Sequence, residues 1–334
     1  MGGKSVESFY CNLTVKHVEC ILSFHAIFQE SVTMKRKMLL VYNPRSGTGA
    51  IRYKLFDIIE IFTKAGYDVL AHPTQETQDA NRTVIQYASR MDMVVCCGGD
   101  GTLDEVVNGL MMARPNMPIG YIPTGSTNDF ASSLGISKDQ IIAAEDIVQG
   151  RVQCCDIGKF NYRTFVYIAA FGLFTDVAYQ TDQNLKNLLG HGAYLLEAGK
   201  RIFNVPKYKL QIDSDEVQLE DEFVYGMITN ATSVGGMRNL PGLDIDLADG
   251  LFEVRLVYPP KNPIELSEIL TTLLNPKLKS EHVLSFKTSN IRISCDEPLA
   301  WTLDGEFGGE HQYSEITNMH KALHIVLNDA ETQV

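Results

Sequence analysis

From Met38 onward the chain alternates short apolar runs with stretches whose apolar residues recur every three or four positions, and glycine-bearing turns separate the two. Met38 to Tyr42 reads as a buried strand. Ile51 to Ala65 reads as a helix with Leu55, Ile58, Ile59 and Phe62 on one face, stopped by Gly66. Tyr67 to Ala71 is the next strand, Ala80 to Ser89 the next helix, Met93 to Cys97 a central strand and Ile119 to Ile122 a fourth. Behind the central strand, Leu103, Val106, Val107 and Leu110 keep helical spacing, with Thr102 as the expected N-cap. Such alternation predicts a parallel sheet covered by helices on both faces. In sheets of that kind, ligands sit beyond the carboxyl ends of the strands.

After Gly150 the rhythm changes. Val152 to Ile157, Thr164 to Ala170, Tyr208 to Ile212, Phe223 to Thr229, Phe252 to Tyr258, Val283 to Phe286, Ile291 to Cys295 and Leu323 to Leu327 read as short strands, many without a helix between them. They predict an antiparallel sandwich, with helices at Ala193 to Phe203 and Ile264 to Leu274. The last strand is a candidate to return to the first domain. The expected division is therefore an α/β domain over 34–150 and a strand-rich domain over 151–334. Residues 1–33 lack both a secretory apolar run and a phosphate-loop motif, and are expected to be a weakly ordered extension from an upstream start.

Composition narrows the partners. With 45% hydrophobic and 21% charged residues the chain is ordinary globular protein, long enough at 334 residues for two cores. A formal charge of −12 argues against nucleic acid as a partner, which wants a basic footprint. Seven cysteines, with Cys96-Cys97 and Cys154-Cys155 adjacent and no CxxC pair, suit reduced thiols in the cytoplasm better than a disulfide framework or a zinc site.

Chemistry gathers in the turns. Asn43 to Gly49, Gly98 to Thr102 and Pro123 to Asp129 all fall at the carboxyl edge of the expected sheet. Gly98, Gly99 and Gly101 let an anion approach the main chain, and a helix start offers free N–H groups. Asp100 among them makes sense if Mg²⁺ lies between carboxylate and phosphate. An empty strand-to-helix turn is the plain alternative for GGDG taken alone. Asp244, Asp246 and Asp249 have a spacing that can chelate a hard cation or merely form a solvated acidic turn. Asp304-Gly305-Glu306 is either a hairpin turn or a pair of carboxylates, one placed as general base. Lys200, Arg201, Lys207 and Lys209 mark a membrane-facing patch or, slightly favoured, a helix end.

Together, NPRSG at 43–47, GGDGT at 98–102, GSTNDFA at 125–131 and DGE at 304–306 resemble the soluble bacterial lipid kinases of the diacylglycerol kinase catalytic family, relatives of sphingosine kinases and more distantly of NAD kinases and 6-phosphofructokinases. The resemblance runs from about Met38 to the C-terminus. It implies a phosphofructokinase-like parallel α/β nucleotide domain followed by a β-sandwich domain, and an ATP- and Mg²⁺-dependent lipid kinase, with diacylglycerol the leading acceptor. By the same resemblance Asn43, Pro44, Arg45, Ser46, Gly47, Thr74, Gly98, Gly99, Asp100, Gly101, Thr102, Leu103, Asp104 and Ser126 would contact ATP. Asp100 and Asp129 would organise the Mg²⁺ at its phosphates. Glu306 would be the proton acceptor with Asp304 beside it. Asp249, with backbone oxygens of Asp246 and Leu251, would hold a structural Mg²⁺. Asp104 departs from the family's usual Asn and would bring negative charge toward the nucleotide. The lipid would be met at a membrane surface, transiently and peripherally; the oligomeric state, a homodimer among the options, stays open. Two other classes remain: an NAD kinase-like enzyme acting on a soluble hydroxyl, and a nucleotide-binding protein that transfers nothing.

Overall fold

The computed structural model describes residues 35–49, 51–172, 206–233, 246–274 and 278–328. The N-terminal extension, the helix expected at Ala193 to Phe203, Lys200, Arg201 and Asp244 lie outside the described residues. Four strands, β1 (Arg36–Tyr42), β2 (Tyr67–Pro73), β3 (Met93–Gly98) and β4 (Ile119–Pro123), run parallel in the order β2-β1-β3-β4. Between and after them come the helices α1 (Ile51–Lys64), α2 (Asp79–Tyr87), α3 (Asp100–Ala113), α4 (Asp129–Ser133) and α5 (Gln140–Gln149).

The period-2 alternation of each strand feeds two cores. Leu39 and Val41 of β1 and Val94 and Cys96 of β3 pack on the side of α2 and α3, with Val84, Leu103, Val106 and Leu110. Met38, Leu40, Val95 and Cys97 face the other way, against Ile58 and Phe62 of α1 and Ile147 of α5. β3, β4 and β1 from Met38 are buried on both faces, which is why they are apolar without interruption, whereas β2 is largely exposed at the sheet edge. Each such buried Leu, Ile or Val contributes about 1.5–3 kcal/mol.

The strand-rich half carries β5 (Arg151–Phe160), β6 (Arg163–Phe165), β7 (Ile168–Gly172), β8 (Tyr208–Ser214), β9 (Gln218–Phe223), β10 (Tyr225–Thr229), β11 (Phe252–Val257), β12 (Val283–Thr288), β13 (Asn290–Leu303) and β14 (Glu306–Leu327), with helix α6 (Pro263–Leu274) between β11 and β12. It surrounds a third core in which Phe160 and Phe171 meet Trp301 edge-on, at ring-centroid distances of 4.9 and 5.1 Å. One continuous hydrogen-bonded path, β12-β11-β10-β7-β13-β14-β4-β3-β1-β2, joins the two halves. The junction is β14, whose Ile325 pairs in parallel with Ile119 of β4.

Several expected elements differ. The strand expected over Thr164 to Ala170 is broken into β6 and β7, because the N–H groups of Val166, Tyr167 and Ile168 turn away to donate to Asp304. Phe223 to Thr229 divides at Val224, whose N–H donates to Val257. The charged β9 carries no apolar signal because its residues are largely exposed at the edge. Lys209 of β8 pairs with Glu220 of β9, and Lys207, just ahead of β8, with Glu222.

Candidate active site

β1, β3 and β4 end at one edge, and the turns that follow interlock. Asn43 donates its N–H to Cys97 O at 2.9 Å, Thr124 donates to Gly98 O at 2.8 Å, and Thr74 at the end of β2 donates to Tyr42 O at 2.9 Å. Gly47 has φ +56°, and a Cβ there would stand 2.2 Å from Thr124 O. A Cβ on Gly125 would stand 2.7 Å from Gly99 Cα. Only glycines permit that approach, so the three turns form one surface of main chain at the N-terminus of α3, the arrangement that receives phosphate.

Helix α3 begins at Asp100 with Gly99 as its N-cap, three residues ahead of the N-cap expected at Thr102. Thr102 packs back over Gly98, where a Cβ would come within 2.5 Å of its own, and its hydroxyl accepts from Asn43 Nδ2 at 3.4 Å. It braces two turns rather than capping the helix. Pro44 offers its carbonyl to Arg52 Nε at 3.2 Å, and Arg45 is exposed with its N–H donated to Asn43 Oδ1. Ser46 is buried beneath the turn and Ser126 is exposed on the rim, while the Leu103 side chain points into the core.

Asp100 and Asp129 meet here. Asp100 Oδ2 accepts from Thr127 Oγ1 at 3.2 Å and from Asp129 N–H at 3.3 Å, whereas Asp100 Oδ1 is buried with no hydrogen-bond partner. Burial, then the neighbouring Asp129 carboxylate, pushes the Asp100 pKa up. An orphaned buried carboxylate oxygen beside a second carboxylate fits a hard cation held directly or through water.

Across from this edge stands the Asp304-Gly305 turn. With φ of +51° and +87°, these two residues form the tight loop of a hairpin between β13 and β14, closed by the pair Leu303↔Glu306. The turn also buries a carboxylate: Asp304 accepts from Val166 N–H at 2.5 Å, Tyr167 at 2.9 Å and Ile168 at 3.0 Å. Burial and the nearby Asp104 push its pKa up; the three donors oppose this and offer no acceptor for a carboxylic proton. Glu306 is exposed, with Oε1 3.0 Å from where a Cβ on Gly101 would be.

The charge of Asp104 does not stand open toward the nucleotide. Asp104 is 2% exposed, and its Oδ2 accepts from Arg163 Nη2 at 2.9 Å while its Oδ1 accepts from Asn108 Nδ2 at 2.9 Å. Burial raises its pKa to about 6, with Arg163 holding it down and Glu105 and Glu306 pushing it further up. Sequence reasoning missed Arg163, a single cation in β6 with no motif around it. Glu105, part of the motif, caps α2 by accepting from Gln78 and Ala80 N–H.

The acidic turn fits a metal poorly as it stands. Asp246 Oδ1 accepts from Ala248 N–H at 3.0 Å and Asp249 Oδ1 from Leu251 N–H at 2.9 Å, each closing its own turn. Asp249 Oδ2 lies 3.3 Å from Lys287 Nζ, so an ammonium already meets the one remaining oxygen. The described residues contain no group of three or more His, Cys, Asp or Glu arranged to hold a metal. A second missed residue, Asp156, is fully buried and ties this turn to β14, accepting from Gly250 and Lys321 N–H at 2.6 Å each and facing His320 Nδ1 at 3.1 Å.

Known proteins resemble this chain in sequence and in fold. Residues 37–160 match the family model of the diacylglycerol kinase catalytic domain. A diacylglycerol kinase of Bacillus subtilis (strain 168) is 32% identical over 297 residues, 88% of this chain and 97% of the relative. One of Staphylococcus aureus (strain Newman) is 33% identical over 280 residues, covering 83% of this chain and 88% of its own. The crystal structure of a diacylglycerol kinase from Bacillus anthracis str. Sterne superposes with a TM-score of 0.69 at 23% identity, over 89% of this chain and 99% of that one, which shows the shared fold.

Proposed function

The chain belongs to the diacylglycerol kinase family, and from that premise we propose that it moves the γ-phosphate of ATP to the free hydroxyl of diacylglycerol, giving phosphatidic acid. The observation that carries the reading is the placement of Glu306. Its carboxylate hangs over Gly101 at the start of α3, where the phosphate turns converge. A base and an anion cradle within one cleft are what transfer to a hydroxyl needs.

The turns Asn43 to Gly47 and Gly98 to Thr102 would bind the triphosphate through main-chain N–H groups, and Glu306 would accept the hydroxyl proton as the oxygen attacks. Asp304, fixed by three backbone donors, holds the hairpin that carries Glu306. Asp100 and Asp129 would hold Mg²⁺, which when bound supplies charge neutralisation at the phosphates. Among the described residues no helix is long and apolar enough to cross a membrane, so the lipid would be met peripherally. Phe307, next to Glu306 in β14, is an exposed apolar side chain.

The test is transfer of label from γ-³²P-ATP with Mg²⁺ to a panel of mixed-micelle lipids, with NAD and a no-acceptor control. Labelled phosphatidic acid is the expected product. Label in NAD alone would move the activity to a soluble hydroxyl, and ATP binding without any transfer would leave a nucleotide-binding protein.

A further inference from the structure

We propose that Arg163 is a positioning residue for phosphoryl transfer: clamped between the Asp104 carboxylate and the Phe307 carbonyl, its guanidinium cancels the charge that Asp104 would present to Glu306 and fixes the strand bearing Glu306 against helix α3. The proposal rests on the lipid-kinase reading.

Three features of the cluster carry it. Arg163 Nη2 donates to Asp104 Oδ2 at 2.9 Å and Nη1 to Phe307 O at 3.4 Å, so one side chain of β6 grips both the phosphate-binding helix and the residue after the base. Beside it, Asn108 donates to Thr164 O and accepts from Thr164 N–H and Oγ1, at 3.2, 3.1 and 2.7 Å. This neutral bridge already joins α3 to β6, so a purely mechanical clamp does not require an ion pair, which carries its own desolvation cost. What the neutral bridge does not do is balance charge. Asp104 is faced by Glu105 of its own helix, Glu306 of β14 and Asp304 of the adjoining turn, and Arg163 is the cation that meets it.

Without the guanidinium, a buried carboxylate would stand beside the base. While ionised it would disfavour the ionised form of Glu306, so the base would need higher pH to act, and only a proton on Asp104 would relieve this. With both partners neutral, the problem does not arise.

The experiment compares the wild type with Arg163→Gln, Arg163→Lys, Asp104→Asn and the Asp104→Asn/Arg163→Gln pair. It reads kcat and KM from acidic to alkaline pH, with Mg·ATP affinity by calorimetry and thermal melting alongside. Arg163→Gln is expected to lower kcat about tenfold or more and move the acidic limb of its profile to higher pH, with Mg·ATP affinity nearly unchanged. The double variant should recover most of that loss and return the limb, and Arg163→Lys should recover part. A double variant no better than Arg163→Gln, or lower melting with an unaltered pH profile, would overturn the proposal and leave a structural clamp. A wild type that labels no lipid would sink the functional reading before any variant is compared, and this proposal with it.

Discussion

The two sides of the cleft are made by different means. The proposed phosphate side is main chain: three turns at adjacent strand ends, locked by close approaches such as Gly47 to Thr124 and Gly99 to Gly125. The acceptor side is side chain, with Asp304 reaching Val166, Tyr167 and Ile168 across 136 to 138 positions and Arg163 reaching Asp104 across 59. Main-chain sites are strained by any added atom and tolerate changes of charge. Side-chain sites tolerate small changes of volume and fail when a charge is lost. Substitutions on the two sides should therefore fail in different observables.

The largest effect is expected at Glu306. Glu306→Gln keeps shape and removes the base, so transfer should fall by about 100-fold or more while Mg·ATP affinity, set by the opposite side, stays nearly intact. Near-normal turnover in single-turnover assays would remove Glu306 from the role of base and dissolve the division of labour. Gly47→Ala tests the other side. The methyl group would collide with Thr124 O at 2.2 Å in a left-handed conformation, and relief must move a phosphate turn. A stability loss of about 2 kcal/mol is expected, together with weaker ATP binding, and kcat at saturating ATP should change least. Calorimetric titration with a non-hydrolysable ATP analogue reads this directly.

That contrast also explains what could be read from the residues alone. Short apolar runs and helical spacing place β1 to β4 and α1, and glycine clusters mark the turns, because backbone demands are local and leave local traces. The N-cap of α3 at Gly99 rather than Thr102 escaped because Thr102 serves another turn, through Asn43. Asp-Gly at 304–305 taken alone reads more commonly as a plain hairpin turn, and it is one; that its carboxylate also gathers three N–H groups of a distant segment has no signature nearby. Arg163 and Asp156 are single charged residues whose meaning lies wholly in long-range partners.

A smaller effect, in stability against pH, is expected at Asp104, where helix α3 meets Arg163 of β6. The Asp104 pKa is raised in the folded protein to about 6, chiefly by burial, above an unfolded value of about 3.9. The native state thus binds this proton more tightly, so the stability it contributes is present at low pH and lost as pH rises through about 6. Asp104→Asn removes the titration. Whatever its offset at acid pH, its stability relative to the wild type should improve between about pH 4 and about pH 7 in chemical denaturation. A constant difference across that range would mean that Asp104 is ionised throughout.

The smallest effect is expected at Asp249, where main chain and side chain share the work. Its carboxylate closes a turn on Leu251 N–H and meets Lys287, which keeps a second partner in Glu253 at 2.9 Å. Since both members of the Asp249–Lys287 pair are partly exposed, losing the pair contributes little, and losing the turn bond about 1 kcal/mol. Asp249→Ala should thus melt slightly below the wild type. The response to Mg²⁺ is the informative part. If the turn binds the ion after displacing the Lys287 ammonium, Mg²⁺ should raise the wild-type melting temperature and leave Asp249→Ala behind, because binding to the folded state alone stabilises it. With Lys287 already neutralising the carboxylate, we expect equal responses in both proteins. Unequal ones would show that this turn is completed by a cation from solution.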